Sequence, residues 1–395
     1  MANNIWSDKK WVNITVNVLL FLLAINVFHY GQFILPIICL ILFIDNRFKF
    51  NVNSWFNFIL LCLFALSFCI FSFKNDAFYS LMGFCVPMAY YIGSNINDAS
   101  EKNIKTIIYI LAFGMATHVV LNFGLDFVVE GVEMFSSHVH RDIWTLSKIK
   151  ATVTSVYYTF IIGSIYYLFA YEKNKKIKAI GISLLIILII YDIGLGRRTP
   201  LFLALISVFV SIFLSLIVFK KKVSKKFIVI VLSIIGIIIL FAILVYFNVF
   251  GIQDKTKHLL LIDKFLWLGL DAERLDIFVS AIKAAPEHLW GGQEISGVVG
   301  VEVHDLWMDV FDRSGIITYL LLVVFSIKTA ILFIKYSQNK NISNELKILV
   351  LTLFICIVVQ LFLEPIMSGS SLFLMCVIVF VSSIERQFIL MNNTK

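Results

Sequence analysis

Long apolar runs constrain this chain more than any other feature of its sequence. Segments such as ISLLIILIIY and FIVIVLSIIGIIILFAILVYF are apolar on every face, and about 17 to 25 helical residues of this kind cross the hydrocarbon layer of a bilayer. A transmembrane barrel would instead show short segments of alternating polarity. Because 60% of the 395 residues are hydrophobic and only 15% are charged, the chain has too little polar surface for a soluble protein of this length. The sequence predicts an all-α polytopic membrane protein.

The apolar runs predict about twelve transmembrane helices. Lysine-rich loops at 173–178 and 220–226 belong on the cytoplasmic side by the positive-inside rule, and with twelve spans both termini lie there too. Two larger loops, 124–152 and 250–314, are then external. We expect one transmembrane domain, 1–395, with an external cap at 250–314 between spans nine and ten. The predicted spans are 11–28, 32–44, 55–73, 78–96, 104–123, 153–171, 177–195, 200–219, 227–249, 315–334, 346–363 and 370–388.

The arginines are distributed differently from the lysines. Most arginines fall in the predicted outer loops, against the positive-inside trend, whereas the lysines are mostly internal. The net charge of +8 is therefore a topology signal, and no nucleic-acid partner is expected. The planar guanidinium suits bidentate binding of phosphate or carboxylate, which gives these arginines a reason to be external. They are Arg141, Arg197, Arg198, Arg274 and Arg313.

A short outer turn carries two adjacent arginines, Arg197 and Arg198, between two long apolar runs. The turn leads directly into the next helix through Thr199 and Pro200. Free N–H groups at a helix N-terminus favour anions, so a lipid phosphate could be held there. The alternative is that both side chains simply extend to lipid headgroups.

The large outer loop contains an amphipathic segment, AERLDIFVSAIKA, at 272–284. Its apolar residues recur at i, i+3, i+4 and i+7, which predicts a helix lying either on the membrane face or on the helix bundle. Arg274 lies beside this apolar stripe, and a solvated charge is the simpler explanation for it when taken alone. Pro286 and the Gly291-Gly292 pair interrupt the chain after the helix.

The stretch VHDLWMDVFDRSG, at 303–315, concentrates charge in an otherwise apolar chain. Its spacing predicts a helix entering the membrane, with His304, Trp307, Met308 and Phe311 on one face and three aspartates on another. Asp305 would lie in the first turn, where a carboxylate is favoured and could orient the imidazole. His304 could exchange a proton near neutral pH; the alternative is an interfacial histidine bonded to backbone.

Some catalytic strategies have no counterpart in the sequence. There is no His/Cys/carboxylate cluster with zinc spacing and no Gly-rich phosphate loop, so we expect neither a metal nor another cofactor. A candidate base together with external arginines suits transfer of a group from a lipid-linked phosphate, with arginine offsetting the charge of the leaving pyrophosphate.

These residues resemble a family pattern. His304-Asp305, then apolar residues and Arg313-Ser314-Gly315-Ile316, preceded by Arg274, Pro286 and the turn Leu289-Trp290-Gly291-Gly292, are similar to the carboxyl-terminal signature of the O-antigen polymerase and O-antigen ligase superfamily. The turn at 196–200 resembles that family's Gly-Ser-Arg turn, with Arg198 at the matching arginine. The motifs extend from Arg274 to Ile316, with the arginine turn at 196–200 added.

The resemblance implies a glycosyltransferase of the C-type fold, acting at the periplasmic face of a bacterial inner membrane without metal. Its donor would be an oligosaccharide on undecaprenyl pyrophosphate. Arg198 and Arg274 would bind the pyrophosphate and His304 would activate the acceptor hydroxyl. Asp305 departs from the commoner asparagine, and a carboxylate there favours a protonated His304. Further candidate substrate contacts are Arg197, Arg141, Arg313, Asp305 and Glu364.

Four functions fit the sequence to different degrees. Glu364-Pro365 and Arg198-Thr199-Pro200-Leu201 look more like a polymerase that joins lipid-linked repeat units than a ligase that transfers finished polysaccharide to lipid A core. A flippase or transporter would suit twelve spans, but His118 is a rare polar group within them. A purely structural membrane protein leaves the sidedness of arginine unexplained. The expected partners are the lipid-linked oligosaccharide and membrane lipids, with a chain-length regulator as a candidate.

Overall fold

The computed structural model is helical over most of the chain that it describes. It describes residues 9–72, 80–96, 100–136, 139–221, 273–300 and 303–393, and within 222–272 the residues 223, 229, 233, 236, 240, 243–249, 256, 259 and 262. Strand in these residues is limited to a two-stranded antiparallel ribbon, β1 (His140–Arg141) with β2 (Lys148–Ile149).

The helices are numbered here in chain order among the described residues. They are α1 (Lys9–Ala24), α2 (Ile34–Asp45), α3 (Trp55–Ser72), α4 (Cys85–Asn95), α5 (Glu101–Glu130), α6 (Ala151–Val156), α7 (Thr159–Gly163), α8 (Ile165–Ala170), α9 (Lys175–Leu195), α10 (Thr199–Phe213), α11 (Glu273–Ala284), α12 (Glu294–Val299), α13 (Leu306–Gln338), α14 (Asn344–Leu363), α15 (Ile366–Gly369) and α16 (Ser371–Asn393). Short 3-10 turns cover Val27–His29, Gly31–Phe33, Met82–Phe84, Gly131–Phe135 and Ala285–Glu287, and a π turn, Leu214–Val218, extends α10.

Eight helical segments of the described chain are long and apolar enough to cross a membrane. The expectation of an all-α polytopic membrane protein therefore agrees with the structure. α1 and α2 are shorter apolar helices, and the described part of the predicted span 78–96 has helical residues at 80–81, a 3-10 turn at Met82–Phe84 and the 11-residue α4. The predicted span 227–249 lies largely outside the described residues, so the count of twelve stays a prediction.

The chain divides into two compact units. Unit 1 comprises Met1–Met115, Glu273–Lys347 and Val358–Lys395, and unit 2 comprises Ala116–Ala272 and Ile348–Ile357. The sequence prediction of a single domain, 1–395, is not decided by this division.

Unit 1 is built on close packing between apolar helices. A Cβ on Gly93 of α4 would overlap the Val379 carbonyl and the Ser382 side chain of α16, so these two helices approach closely because Gly93 has no side chain. α3 contacts α13 through the hydroxyls of Ser67 and Thr318, which are 2.6 Å apart. Such hydroxyl pairs satisfy polar groups that would be costly within an apolar layer.

α13 folds back on itself at Gly315, which has the non-helical backbone angles φ 78° and ψ −176°. The Trp307 indole N–H donates to Ser326 Oγ at 3.1 Å across nineteen residues, whereas a continuous helix would separate these residues by about 28 Å. The Phe311 and Tyr319 rings also meet, with centroids 5.7 Å apart. We call this element the hairpin, with a short arm, 306–314, and a long arm, 316–338.

Within the predicted outer loop 250–314, the structure describes 256, 259, 262, 273–300 and 303–314. We call residues 273–300 the cap. Ala281 and Ile295 of the cap are buried together with Val303, Met308 and Phe311. The cap therefore shares a small apolar core with the short arm of the hairpin.

Unit 2 contains several short helices. The predicted span 153–171 is divided into α6, α7 and α8, with breaks at Tyr157–Tyr158 and at Ser164. α10 packs against this broken segment, since Ser207 Oγ donates to the Ile162 carbonyl at 2.8 Å. The serine hydroxyl compensates a carbonyl close to a helix interruption.

Candidate functional site

The start of α13 differs from the sequence prediction. Asp305 is extended (φ −168°, ψ 156°) and its side chain accepts a hydrogen bond from Met308 N, with 2.7 Å between Oδ1 and N. Asp305 is therefore the N-cap and not a first-turn residue. His304 precedes the helix, so the predicted helical face shared by His304, Trp307, Met308 and Phe311 is wrong for His304. The helical spacing placed His304 within the helix, but aspartate strongly prefers the N-cap position, and the helix therefore begins after Asp305.

Asp305 is almost fully buried, while His304 is half-buried. Burial raises the pKa of Asp305 to about 6, the Met308 N–H lowers it in part, and the charge of Asp309 raises it further. Oδ2 has no hydrogen-bond partner among the described groups. A buried carboxylate with one oxygen unpaired is costly, so packing alone does not account for this oxygen.

Arg313 is held by two protein groups. Its Nε lies 3.0 Å from Asp309 Oδ1, one helical turn back on the short arm, and both side chains are mostly buried. With its amide oxygen turned toward Arg313, Gln293 of the cap accepts from Nη1 at 2.9 Å and from Nη2 at 3.2 Å. Arg313, predicted as a substrate contact, therefore joins the short arm to the cap.

Asp312 is the third aspartate of the stretch, and it caps α12. Its Oδ1 accepts from Ile295 N at 3.0 Å and Ser296 N at 3.2 Å, and its Oδ2 accepts from the Ser296 hydroxyl. A carboxylate at a helix N-terminus satisfies N–H groups that have no partner within the helix. The three aspartates therefore do not share one function or one face.

Two glycines allow the cap turn and the tip of the hairpin to cross. Gly291 (φ 80°) and Gly315 (φ 78°) both have left-handed backbones, and a Cβ on Gly315 would lie 2.6 Å from the Leu289 carbonyl oxygen. A Cβ on Gly291 would lie 2.7 Å from the backbone nitrogens of Ser314 and Gly315. Backbone hydrogen bonds join the same segments, from Ile316 N to Leu289 O at 2.9 Å and from Gly292 N to Arg313 O at 3.1 Å. The sequence motif elements 289–292 and 313–316 are thus in direct contact.

Glu364 lies at the end of α14, immediately before Pro365, and it is fully buried. Two residues earlier, the Phe362 ring packs on the Trp307 ring of the short arm, with centroids 4.4 Å apart. The segment that carries Glu364 therefore packs beside the segment that carries His304 and Asp305, within unit 1.

Arg274 is the second residue of α11, and its backbone belongs to unit 1. Its side chain lies outside the described part of the structure, so the predicted role in binding pyrophosphate stays a prediction.

Arg197 and Arg198 lie in unit 2, at the turn between α9 and α10. Gly196 ends α9 in a left-handed conformation, φ 60°, and Thr199 begins α10 with Pro200 as the next residue. Arg198 is the N-cap residue of α10 and both arginines are half-buried. The turn therefore leads directly into a helix N-terminus. The anion site that the sequence predicted at this helix N-terminus stays a prediction.

Arg141 belongs to a polar cluster that the sequence reading missed. Its Nη1 lies 2.6 Å from Glu130 Oε1 and 3.8 Å from Asp126 Oδ1, and its backbone N–H donates to Asp126 at 3.0 Å. Asp126 is fully buried and also accepts from the Tyr191 hydroxyl at 2.7 Å and faces His140 Nδ1 at 3.3 Å. Arg141, predicted as a substrate contact, therefore pairs with protein carboxylates.

A second pair extends the same cluster along α5. His118 Nε2 lies 3.4 Å from Asp142 Oδ2 and 3.3 Å from Asn122 Nδ2, and Ile143 N donates to Asn122 Oδ1 at 2.9 Å. The segment around β1 is thus fixed to α5 by buried polar contacts. We call these residues of α5, β1 and α9 the Asp126 cluster.

The sequence contained a signal for this cluster. His118, Asn122, Asp126 and Glu130 recur every four residues, which places them on one helical face. The predicted span ended at 123, because acidic residues suggested a loop. α5 instead continues to Glu130, since Arg141, His140 and Tyr191 compensate the buried carboxylates.

The candidate residues are therefore divided between the units. Unit 1 brings together His304, Asp305, Arg313 and the segment of Glu364, and it contains the backbone of Arg274. Unit 2 contains Arg141, Arg197 and Arg198. Comparison with protein-family models gives no match, and comparison with curated proteins gives no match either. The chain is thus characterised by helices that are long and apolar enough to cross a membrane and by these two groups of residues.

Proposed function

We propose that the chain is an O-antigen polymerase, a metal-independent glycosyltransferase that joins repeat units carried on undecaprenyl pyrophosphate at the periplasmic face of the inner membrane. The observation that carries this proposal is the arrangement of the short arm in unit 1. Motif residues far apart in sequence, 289–292 and 313–316, are in backbone contact, and His304 and Asp305 begin the same arm.

The proposed reaction is a displacement at the anomeric carbon of the donor. The acceptor hydroxyl oxygen forms a bond to that carbon while the bond from the carbon to the pyrophosphate oxygen breaks. The hydroxyl proton passes to His304, and the leaving pyrophosphate keeps the electron pair. Arg274 and Arg198 each have the charge to stabilise the developing anion, and because they belong to different units, each requires its own test.

Asp305 has a defined part in this proposal. One of its carboxylate oxygens is occupied by the Met308 N–H, which fixes the side chain at the end of the short arm. The other oxygen is available to an acceptor hydroxyl. In this role Asp305 orients the acceptor beside His304, and its negative charge favours the imidazolium formed after proton transfer.

The test is the pattern of lipopolysaccharide lengths in a deletion strain that carries variant genes. His304→Ala is expected to remove the ladder of long chains while the protein remains in the membrane. His288→Ala is the matched control, because His288 lies in the cap, pairs with Glu294 at 2.7 Å and has no part in the proposed reaction. A full ladder with His304→Ala would refute the assignment.

The deletion strain itself separates the alternatives. Loss of a polymerase leaves a single repeat unit on the lipid A core, whereas loss of a ligase leaves bare core and an accumulated lipid-linked polymer.

A transporter remains the second candidate because of one specific observation, the Asp126 cluster. Buried ionisable residues of transmembrane helices often belong to ion or substrate pathways. Loss of a flippase would leave bare core with lipid-linked single units. A single-unit core in the deletion strain would therefore exclude it.

A further inference from the structure

The cap helix α11 has an apolar face that its own core does not use. Ala281 is fully buried in the core of the cap, and the helix thereby presents one side inward. Phe278, Val279 and Ile282 are 37%, 40% and 48% exposed. At 100° per residue these three lie together on a second face, about 160° from Ala281 at its most distant member, Val279.

The polar residues of α11 whose side chains the structure describes occupy a third face. Asp276, Ser280 and Lys283 are all exposed, and the helical spacing places them apart from both apolar faces. α11 therefore has an exposed apolar face in addition to the face that packs in the cap core, and this exposed apolar face is separate from the polar face.

The position of the cap argues for a lipid occupant. Trp290, just after α11, is 64% exposed and stacks on Phe71 with ring centroids 6.0 Å apart. Phe71 is in the last turn of the helix Trp55–Ser72, which is long and apolar enough to cross a membrane. The neighbouring Gly291 crosses Gly315, where the long arm of the hairpin begins. The turn after α11 is therefore fixed at the ends of two apolar helices, and tryptophan is characteristic of the level where such helices meet headgroups.

We propose that α11 lies in the interfacial layer of the bilayer, with Phe278, Val279 and Ile282 inserted among the lipids and Asp276, Ser280 and Lys283 facing water. Trp290 marks the same level. The occupant of the apolar face is the bilayer, not a partner protein or a second copy of the chain. This proposal does not depend on the enzymatic function proposed above.

Spin labels test the proposal in the full chain reconstituted in phosphatidylethanolamine and phosphatidylglycerol vesicles. Single cysteines are placed at 278, 279 and 282, and at 276, 280 and 283 as matched controls. The chain without an added cysteine measures labelling of its native thiols. Collision with oxygen, which dissolves in lipid, is compared with collision with a water-soluble nickel chelate.

Insertion predicts high oxygen and low nickel accessibility at 278, 279 and 282, and the reverse at the three control positions. High nickel accessibility at all six positions would show a solvated helix and overturn the proposal. Low accessibility to both reagents at the apolar positions would show that protein covers this face, which also overturns it.

A label-free variant guards against labels that disturb folding. The double substitution Phe278→Gln and Ile282→Gln keeps residues that favour a helix but removes the apolar face. In vesicles, trypsin should cleave after Lys283 faster in this variant than in the wild type, and a control with Asp276→Gln and Ser280→Gln should be cleaved at the wild-type rate. Equal rates for all three proteins would contradict insertion.

Discussion

The crossing of Gly291 and Gly315 makes a quantitative prediction about the hairpin. An alanine at Gly315 would have to adopt φ 78° and ψ −176°, a conformation that is essentially restricted to glycine and costs about 1–3 kcal/mol for other residues. Its Cβ would also lie 2.6 Å from the Leu289 carbonyl oxygen and 2.8 Å from the Trp290 carbonyl carbon. These are backbone atoms, so they can move only if the turn separates from the hairpin.

The cost of that separation is estimated from the hydrogen bonds that would break. Ile316 N to Leu289 O and Gly292 N to Arg313 O each contribute about 1 kcal/mol net. Together with the backbone strain, Gly315→Ala should destabilise the folded cap and hairpin by about 3–5 kcal/mol. Gly291→Ala should have a similar effect, because its Cβ would meet the same crossing from the other side.

The cap offers matched controls that separate strain from crowding. Gly300 has φ 79° but open space around its Cβ, and Gly297 has neither a positive φ nor a close neighbour. Gly300→Ala should therefore cost about 1–3 kcal/mol from strain alone, and Gly297→Ala should be neutral or slightly stabilising because alanine favours the helix. The difference in destabilisation between Gly315→Ala and Gly300→Ala therefore measures the cost of crowding where the two backbones cross.

The order of stability is measured by thermal unfolding of the purified variants. Unfolding is detected by a thiol-specific dye, which reacts with the buried Cys356 and Cys376 when they become exposed. Tryptic cleavage of the cap at lower temperature reports local opening. If Gly315→Ala were no more destabilising than Gly300→Ala, the close crossing of the two backbones would be refuted.

Three further substitutions test the aspartates. Asp312→Ala should release the N-terminus of α12 and cost about 2–4 kcal/mol through three lost bonds, read as faster proteolysis of the cap, with Ser296→Ala giving a smaller effect. Asp305→Asn should keep the N-cap but remove a titrating carboxyl. Burial raises the pKa of Asp305 from 3.8 to about 6, so the folded protein binds this proton more tightly than the unfolded chain does. The contribution of this carboxyl to stability is therefore full below about pH 4 and is lost as the pH rises through about 6. The stability of Asp305→Asn relative to wild type, from pH-dependent unfolding, should thus rise over that range by on the order of 3 kcal/mol, at 1.36 kcal/mol per pKa unit, and a constant difference would contradict it. Asp126→Ala should strongly lower the amount of folded protein in the membrane, because Tyr191 and Arg141 lose a buried partner. Asp276→Ala, which removes an exposed carboxylate, should leave that amount unchanged. Equal amounts of the two variants would refute the structural role of the Asp126 cluster.

Local sequence patterns predicted the parts of the fold that depend on neighbouring residues. The apolar runs located α3, α9, α10, α14 and α16 within a few residues, because hydrocarbon thickness sets helix length. α9 ends at Leu195, where the predicted span 177–195 ended, and Gly196 forms its left-handed C-cap.

The parts that depend on distant residues were not predictable in this way. The pattern of 303–315 is compatible with one helix that continues into the membrane, and nothing local shows that Gly315 reverses the chain. That reversal depends on the turn at 289–292, which is distant in sequence. The Asp126 cluster is similar, because its carboxylates are tolerated in a helix only when Arg141, His140 and Tyr191 are placed beside them.

The charged stretch at the start of α13 can now be divided by function. Asp309 balances Arg313, and Asp312 satisfies the start of α12, so both charges are compensated within unit 1 and have structural explanations. The short arm runs back along the long arm as far as Ser326, about 16 Å from Gly315 at 1.5 Å per residue. Uncompensated charge is costly in such surroundings. Asp305 retains an oxygen without a described partner and directly follows His304, so among the three aspartates it is the one that packing alone does not explain.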